Sequence, residues 1–394
     1  MTILNMIKNF LLLGVLSFFT ASCSVEITNS RYDKPISRTE VLRSIAKHST
    51  QSTANFSNKN LADLDLRSMY LRGANMEKSS LRDALLDKSN LSHANFRDAD
   101  LSNASLVGAI LIGADLTGAN LSGADLSHAT LDGANMTRAN LEDAILDKTH
   151  FRRVNLSNAI LRDASIKEVY LGDSDLSGLD LRGVNLKNSN LYGAILRGVN
   201  LENTNLSGAT LSHVDFTDSI LKNADLSNSD LRQAQLVSVD MVRANLENCD
   251  MQGANLYNSV LIRANLKGAQ LKGAAMDEAN FSEANLSGAN LILASATRSI
   301  FTWAKMDHAT MKRVDFSNSD FRNAKMNNTM FAQSNFRYAN FTAANLSHSD
   351  FTSADFTRVD ISGANLNGSK LSKVLNMHLV TGLDKVRNLE KSEL

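Results

Sequence analysis

The sequence contains one proline, Pro35, and none after it, so over 350 residues run without the residue that most often breaks regular structure. It has two cysteines, Cys23 and Cys249, too few for a disulfide framework or a cysteine-based zinc site. Aromatic residues make up only 6%. Lys plus Arg and Asp plus Glu are equal at 41 each. That balance removes the basic excess normal for a nucleic-acid binder, and no nucleic-acid partner is expected. It equally lacks the acidic excess of a DNA mimic. What dominates instead is Asn, Ser, Ala, Asp and Leu.

The one long apolar run is at the start. MTILNMIKNFLLLGVLSFFTASC carries Lys8, then Phe10 to Phe19, then small residues before Cys23. This is the layout of a secretory signal over residues 1–22, too short to span a membrane comfortably. Thr20-Ala21-Ser22-Cys23 resembles the lipobox of bacterial lipoproteins, although Leu is more usual at the place of Thr20. The resemblance implies acylation of Cys23 as the first mature residue and attachment to a membrane by that lipid. Ser24, rather than Asp, then implies the outer membrane, which makes the chain an exported envelope lipoprotein. An ordinary cleaved signal with Cys23 incidental is the alternative.

From Phe56 to Leu371 every residue whose number ends in 1 or 6 is Leu, Phe, Met or Ile, except Ala296. These 64 consecutive centres keep phase without insertion or slip. Two positions earlier stand small residues, with exceptions at Lys59, Leu64, Met69 and Leu179. Asn and Asp prevail between the two. In an extended segment the small residue and the centre point one way and the residue between them the other. A period of five fits neither an amphipathic helix nor a longer strand. It fits a very short extended piece and a turn. Of 20 glycines, 17 lie two residues after a centre, where a turn requiring positive φ selects Gly, Asn or Asp. Gly172 is out of place.

The pattern, as in GADLTGANLSGADL over 113–126, resembles the A(D/N)LXX motif of the pentapeptide-repeat family across 54–374. The resemblance implies an all-β fold, a right-handed quadrilateral β-helix with four units per coil. Sixty-four units then make about 16 coils and a rod ~75 Å long. Residues 20 apart should stack. Leu116, Leu121 and Leu126 are expected in the core, with turn residues such as Thr117 outside. Phe281, Phe301, Phe321 and Phe341 should form one stacked column, and Phe316, Phe336 and Phe356 a second. Ala296 leaves space one coil below Phe316, so a distortion or small cavity is expected there, filled by Leu293.

Solenoid ends need covers. Ser37-Arg38-Thr39-Glu40 fits a capping box and Val41, Leu42, Ile45 and Ala46 follow at helical spacing, which predicts a helix over 38–48 within a 23–53 anchor and linker. Leu375, Leu379, Val380, Leu383, Val386 and Leu389 predict an amphipathic helical cap or tail over 375–394. Some family members dimerise through such a tail, so a homodimer contact is the second reading of this segment.

Nothing in the sequence assembles an active site. His93, His128, His213, His308 and His348 occupy outward corner slots. His308 and His348, in one column, lie roughly 10 Å apart, too far to share a metal. Cys249 takes an inward small slot and is expected to be inert. No catalysis, metal or cofactor is expected. The candidate contacts are on the surface. Trp303 is one, as a side-chain type enriched at binding hot spots. The others are a mildly basic column of Arg72, Arg152, Arg232, Lys272 and Lys312, interrupted by Asp132. Outward tyrosines fall on different columns and promise no stacking platform.

The expected role is a non-enzymatic rod that holds an unidentified protein partner in the cell envelope. The family resemblance offers two alternatives: a DNA-mimicking protector of gyrase, which would need an acidic cytosolic protein, and a secreted effector acting on a host cell.

Overall fold

The structure, a computed structural model, describes residues 34–47 and 53–392; the leader and Cys23 lie outside the described residues. The chain winds as a right-handed quadrilateral β-helix in which parallel bridges pair residues numbered in 5 or 0 with the residue 20 further on, from Asn55–Asn75 to Asp355–Leu375, at all but two places.

One unit explains why the sequence repeats as it does, because all its amides are satisfied. The amide of Leu116 donates to the Asn135 carbonyl (2.7 Å) and that of Gly118 to Thr137 (2.9 Å), both in the next coil. Asn120 donates back to Ala99 (2.9 Å), and Ala119 closes the turn onto Leu116 (3.0 Å). The fifth amide, of Thr117, has no backbone partner and donates to Oδ1 of Asp115 at 3.0 Å. Asn and Asp recur between the inward positions because they cap the turn that follows. In some units where that residue is not Asn or Asp, an aspartate one coil below takes over. Asp87 accepts the amide of Val107 (3.0 Å), Asp147 that of Lys167 (3.0 Å) and Asp277 that of Thr297 (2.8 Å). In those units Ser105, Ser165 and Ser295 hold the place of the usual Asn or Asp.

Every corner residue numbered in 3 or 8 from Asn58 to Lys373 has positive φ, including residues as unsuited to it as Leu293 (63°) and Trp303 (60°). The ladder on both sides holds these corners in a conformation their side chains disfavour.

Leu116, Leu121 and Leu126 are fully buried, as are the eight phenylalanines from Phe301 to Phe356. Phe281, Phe301, Phe321 and Phe341 stack with ring centroids 5.0, 5.0 and 4.9 Å apart. The second column holds only in part. Phe316 and Phe336 stack at 5.3 Å, but Phe356 meets Phe336 edge-on at 89°. Phe351 packs edge-on against it at 5.2 Å, and no phenylalanine follows above to continue the stack. A third column, Phe331 over Phe351 at 5.0 Å, was not anticipated.

The expected distortion at Ala296 does not occur. The bridges Ala275–Ser295 and Ser295–Asp315 are intact, and the Ala296 amide donates to Asp315 at 2.8 Å. Leu293 does not fill a space there; it is 54% exposed at its corner. Ala296 is fully buried, and the ring of Phe316, one coil above it, meets that of Phe301 edge-on at 5.7 Å.

The real interruption is elsewhere. Between Asn55 and Leu375 two rungs are missing, Ile160–Asp180 and Ser165–Asn185. Leu179, in a slot sized for Ala or Ser, is 3% exposed and sits in that coil with Val169 and Val184 also inward. Overfilling one layer forces its neighbour away. Ala159 and Ala164 become half-buried, and an entirely apolar cavity of about 20 Å³ opens among Phe151, Leu161, Ile166, Leu176, Leu179 and Leu181.

The N-terminal end is covered by helix α1, Arg38–Lys47. The amide of Ser37 donates to Glu40 Oε2 at 2.6 Å and that of Glu40 to Ser37 Oγ at 3.3 Å. Val41 is buried and Ile36 and Ile45 pack on the core, while Leu42 faces out, 48% exposed.

The C-terminal segment is not an amphipathic α-helix. It winds once more, at six residues per side: Leu375, Thr381 and Arg387 bridge to Asp355, Asp360 and Asn365. Asn376, Gly382 and Asn388, also six apart, take positive φ and start three short 3-10 turns, Met377–Leu379, Leu383–Lys385 and Leu389–Lys391. The apolar residues that suggested a helix follow this lengthened rhythm. Val380 is buried over the last coil, while Leu375 and Leu379 stay exposed.

Candidate interaction surface

Three outward positions per side, two in the turn and one between the inward residues, make the surface a grid. The basic column exists as a line but not as a patch. Arg152 pairs with Asp173 (3.2 Å), and its amide donates to Asp132 (3.1 Å), so that aspartate caps a turn. Arg232 pairs with Asp230 (2.6 Å) and approaches Asp250 (3.9 Å). Hydrogen bonding from Arg232, opposed by burial, holds the Asp230 carboxyl below the usual range. Arg72, Lys272 and Lys312 make no ion pair among the described residues, and they stand two or more coils from their nearest basic neighbour in the column. Trp303 is 61% exposed and makes no ring contact among the described residues.

The grid does assemble something the separate columns had hidden. Tyr170 stacks on His150, one coil below, with centroids 4.4 Å apart and planes at 14°. Tyr192 meets His213 edge-on at 5.4 Å. The two pairs lie on adjoining columns, with Arg152 and Asp173 between, and Tyr170 and Tyr192 are 46% and 47% exposed. Gly172 keeps the place between Arg152 and Tyr192 low: a β-carbon there would stand 3.5 Å from the Tyr192 carbonyl oxygen. Ile110 and Ile112, 38% and 40% exposed, lie further down the same two columns. The outward tyrosines do stand on different columns, and no ring contact among the described residues joins the two pairs; each tyrosine pairs instead with a histidine, Tyr170 with one in the coil below and Tyr192 with one in the coil above. The signal available was the spacing of 20 between His150 and Tyr170.

Among the described residues no group of His, Cys, Asp and Glu could hold a metal ion. Cys249 is buried, and burial pushes its thiol up to about 12, so no thiolate forms near neutral pH.

The family model described as pentapeptide repeats matches residues 52–86, 79–118, 134–173, 164–203, 194–233 and 240–275, more than half the chain, and a pentapeptide repeat region matches 294–376. No curated protein matches. Among solved structures, trypsin-treated QnrB1, a plasmid-mediated fluoroquinolone resistance protein, is 21% identical, over 53% of this chain and 95% of that one, with a TM-score of 0.38. HetL, a pentapeptide repeat protein involved in heterocyst differentiation regulation from the cyanobacterium Nostoc sp. strain PCC 7120, is 29% identical over 69% and 97%, at 0.21. Rfr23 from the cyanobacterium Cyanothece 51142 is 25% identical over 32% and 95%, at 0.25. These superpositions are too partial to transfer a residue or a partner. On its repeat phase, its four-sided ladder and these family matches, the chain belongs to the pentapeptide-repeat family.

Proposed function

We propose that this chain is an exported, lipid-anchored rod of the bacterial cell envelope that works without catalysis, presenting a surface to a protein partner. The observation that carries the surface half is the exposed cluster of His150, Tyr170, Tyr192 and His213 on a scaffold held by a continuous backbone ladder on that side. Aromatic side chains of this kind supply large contact area at low ordering cost. The sequence Thr20-Ala21-Ser22-Cys23 supports the anchored half. The balance of 41 basic and 41 acidic residues speaks against imitation of DNA.

Two measurements test this. Cells expressing the full chain are fed a clickable fatty acid and fractionated. Label on the wild type and none on Cys23→Ser, with the wild type in the envelope, is the expected result. An unlabelled, uncleaved cytoplasmic protein overturns the anchor. Envelope extract is then passed over the wild type and a Tyr170→Ala, Tyr192→Ala double variant. A partner retained by the wild type and lost by the variant is expected; equal retention removes the cluster from the interface.

A further inference from the structure

The missing rungs are not scattered. In a four-sided coil the columns run, in chain order, through Asn155, Ile160, Ser165 and Tyr170. The rungs above Ile160 and Ser165 are absent, whereas Asn155–Asp175 and Tyr170–Asn190 are present. The amides of Leu156, Asn158 and Asp175 also lack their regular partners in the neighbouring coil, so the sides of Asn155, Ile160 and Ser165 are open and that of Tyr170 is closed. The corner between the Ile160 and Ser165 sides carries residues 161–164 below and 181–184 above. The diagonally opposite corner, 171–174, stays bonded, with Leu171 donating to Asn190 (2.7 Å) and Asp173 to Tyr192 (2.8 Å).

Side chains reinforce the same division. At the closed corner Ser174 Oγ donates to the Phe151 carbonyl (2.8 Å), Arg152 pairs with Asp173 (3.2 Å), and His150 stacks on Tyr170 (4.4 Å). Gly172, the glycine outside the usual corner slot, is in this corner and adds no side chain to resist rotation. At the open corner the regular inter-coil bonds from the amides of Leu161, Asp163 and Ile166 are not made. A surface recess lined by Ala159, Leu161, Arg162, Asp180, Arg182 and Val184 shares Leu161 with the apolar cavity.

We propose that residues 156–185 form a hinge about which the two ends of the rod swing, with the corner 171–174 as pivot and the corner 161–164 against 181–184 as the lips. Bending anywhere else must break backbone rungs and part a close-packed interior. Here the inter-coil bonds to the next coil, from Leu156 to Ile166, have already been given up, and the cavity leaves room for Leu161 and Leu181 to approach or separate. Leu179 is the wedge that keeps the lips apart.

The test uses pairs of spin labels four coils apart, about 19 Å along the axis, in the full chain with Cys23→Ser and with Cys249 left buried. Asp143→Cys with Asn223→Cys crosses the hinge on the lip side. Arg153→Cys with Gln233→Cys crosses it on the pivot side, and Arg243→Cys with Asn323→Cys spans unbroken coils. The lip pair is expected to show a distance distribution about twice as wide as the other two, narrowing when Leu179→Ala is added. A lip pair as narrow as the unbroken coils, or equal widths on both sides of the hinge, overturns the proposal. Hydrogen exchange on the unlabelled protein gives an independent check: the amides of Leu161, Asp163 and Ile166 should exchange about 100-fold faster than those of Leu261, Arg263 and Leu266. Equal rates overturn it as well.

Discussion

Leu179 stands one coil above Ala159 in a column of inward residues that continues to Val199, and it is buried to 3% exposure. Its side chain is larger than any neighbour in the column below or above. An ordinary core leucine truncated to alanine costs about 2–5 kcal/mol, and Leu181→Ala should fall in that range. Leu179→Ala should cost less than about 1 kcal/mol or stabilise, because lost packing is offset by recovered rungs. Chemical denaturation of both variants decides this. Equal losses would show that Leu179 is not the cause of the open coil.

Overpacking tests the inward and outward assignments. Ala114 is 1% exposed, and Ala114→Trp should lower the melting temperature severely or prevent folding. Thr117, which the pattern puts outside, is a poor comparison. It is only 6% exposed, with its hydroxyl donating to Asp115 (2.5 Å) and accepting from Asn135 (2.9 Å). Lys272, exposed and free of ion pairs among the described residues, is the better one. Lys272→Trp should melt within a few degrees of the wild type.

Small inward slots often hold serine, and its hydroxyl needs a partner there. Ser319 Oγ donates to the Ala296 carbonyl at 2.6 Å, so Ser319→Ala should cost about 1 kcal/mol. Ser219 Oγ is buried with no partner among the described residues. Ser219→Ala should be neutral or stabilising, and a loss as large as that of Ser319→Ala would contradict the assignment.

Several carboxylates tie stability to pH. Burial would raise Asp215, but the Thr217 hydroxyl and amide and then Arg197 outweigh it and hold its pKa below the ordinary value. Asp115 is depressed in the same way by Thr117 and Arg97, against burial. A depressed carboxylate contributes stability fully present above the unfolded value, near 3.9, and lost as pH falls through the folded value. Melting temperature should therefore hold from pH 7 to about pH 5 and decline below about pH 4. Asp215→Asn should cost at most about 1 kcal/mol at pH 7, since Arg197 is exposed, and the difference from wild type should fade as pH is lowered below the unfolded value, near 3.9. A difference that persists there would rule out the ionised carboxylate as its source.

Legibility followed periodicity. Phase, corner, inward pair and stacked columns could be read because each is repeated 64 times with one register. Features that depend on one layer's volume could not. Leu179 was visible as an exception, yet so were Leu64 and Met69, which lie in the coils next to the α1 end and leave the ladder intact. Ala296 looked like a hole because one column was considered alone, yet its coil keeps its rungs and Phe301 of the next column meets Phe316 edge-on. The tail was mistaken for a helix because six-residue sides bring apolar residues to intervals of three and four. The surface cluster needed contacts between coils and around a corner together, which no single column contains.

The unbroken phase has a mechanical corollary. Removing twenty residues would shorten the rod by one layer and leave each remaining column aligned. Removing five would rotate everything beyond the deletion by a quarter-revolution, with the interior still sealed and each turn still legal. Tyr192 and His213 could thus be turned away from Tyr170 and His150 while still meeting each other, with the carbonyl of Tyr192 taking a new amide partner in place of Asp173, so the heading of this molecule's working face is set by arithmetic modulo twenty.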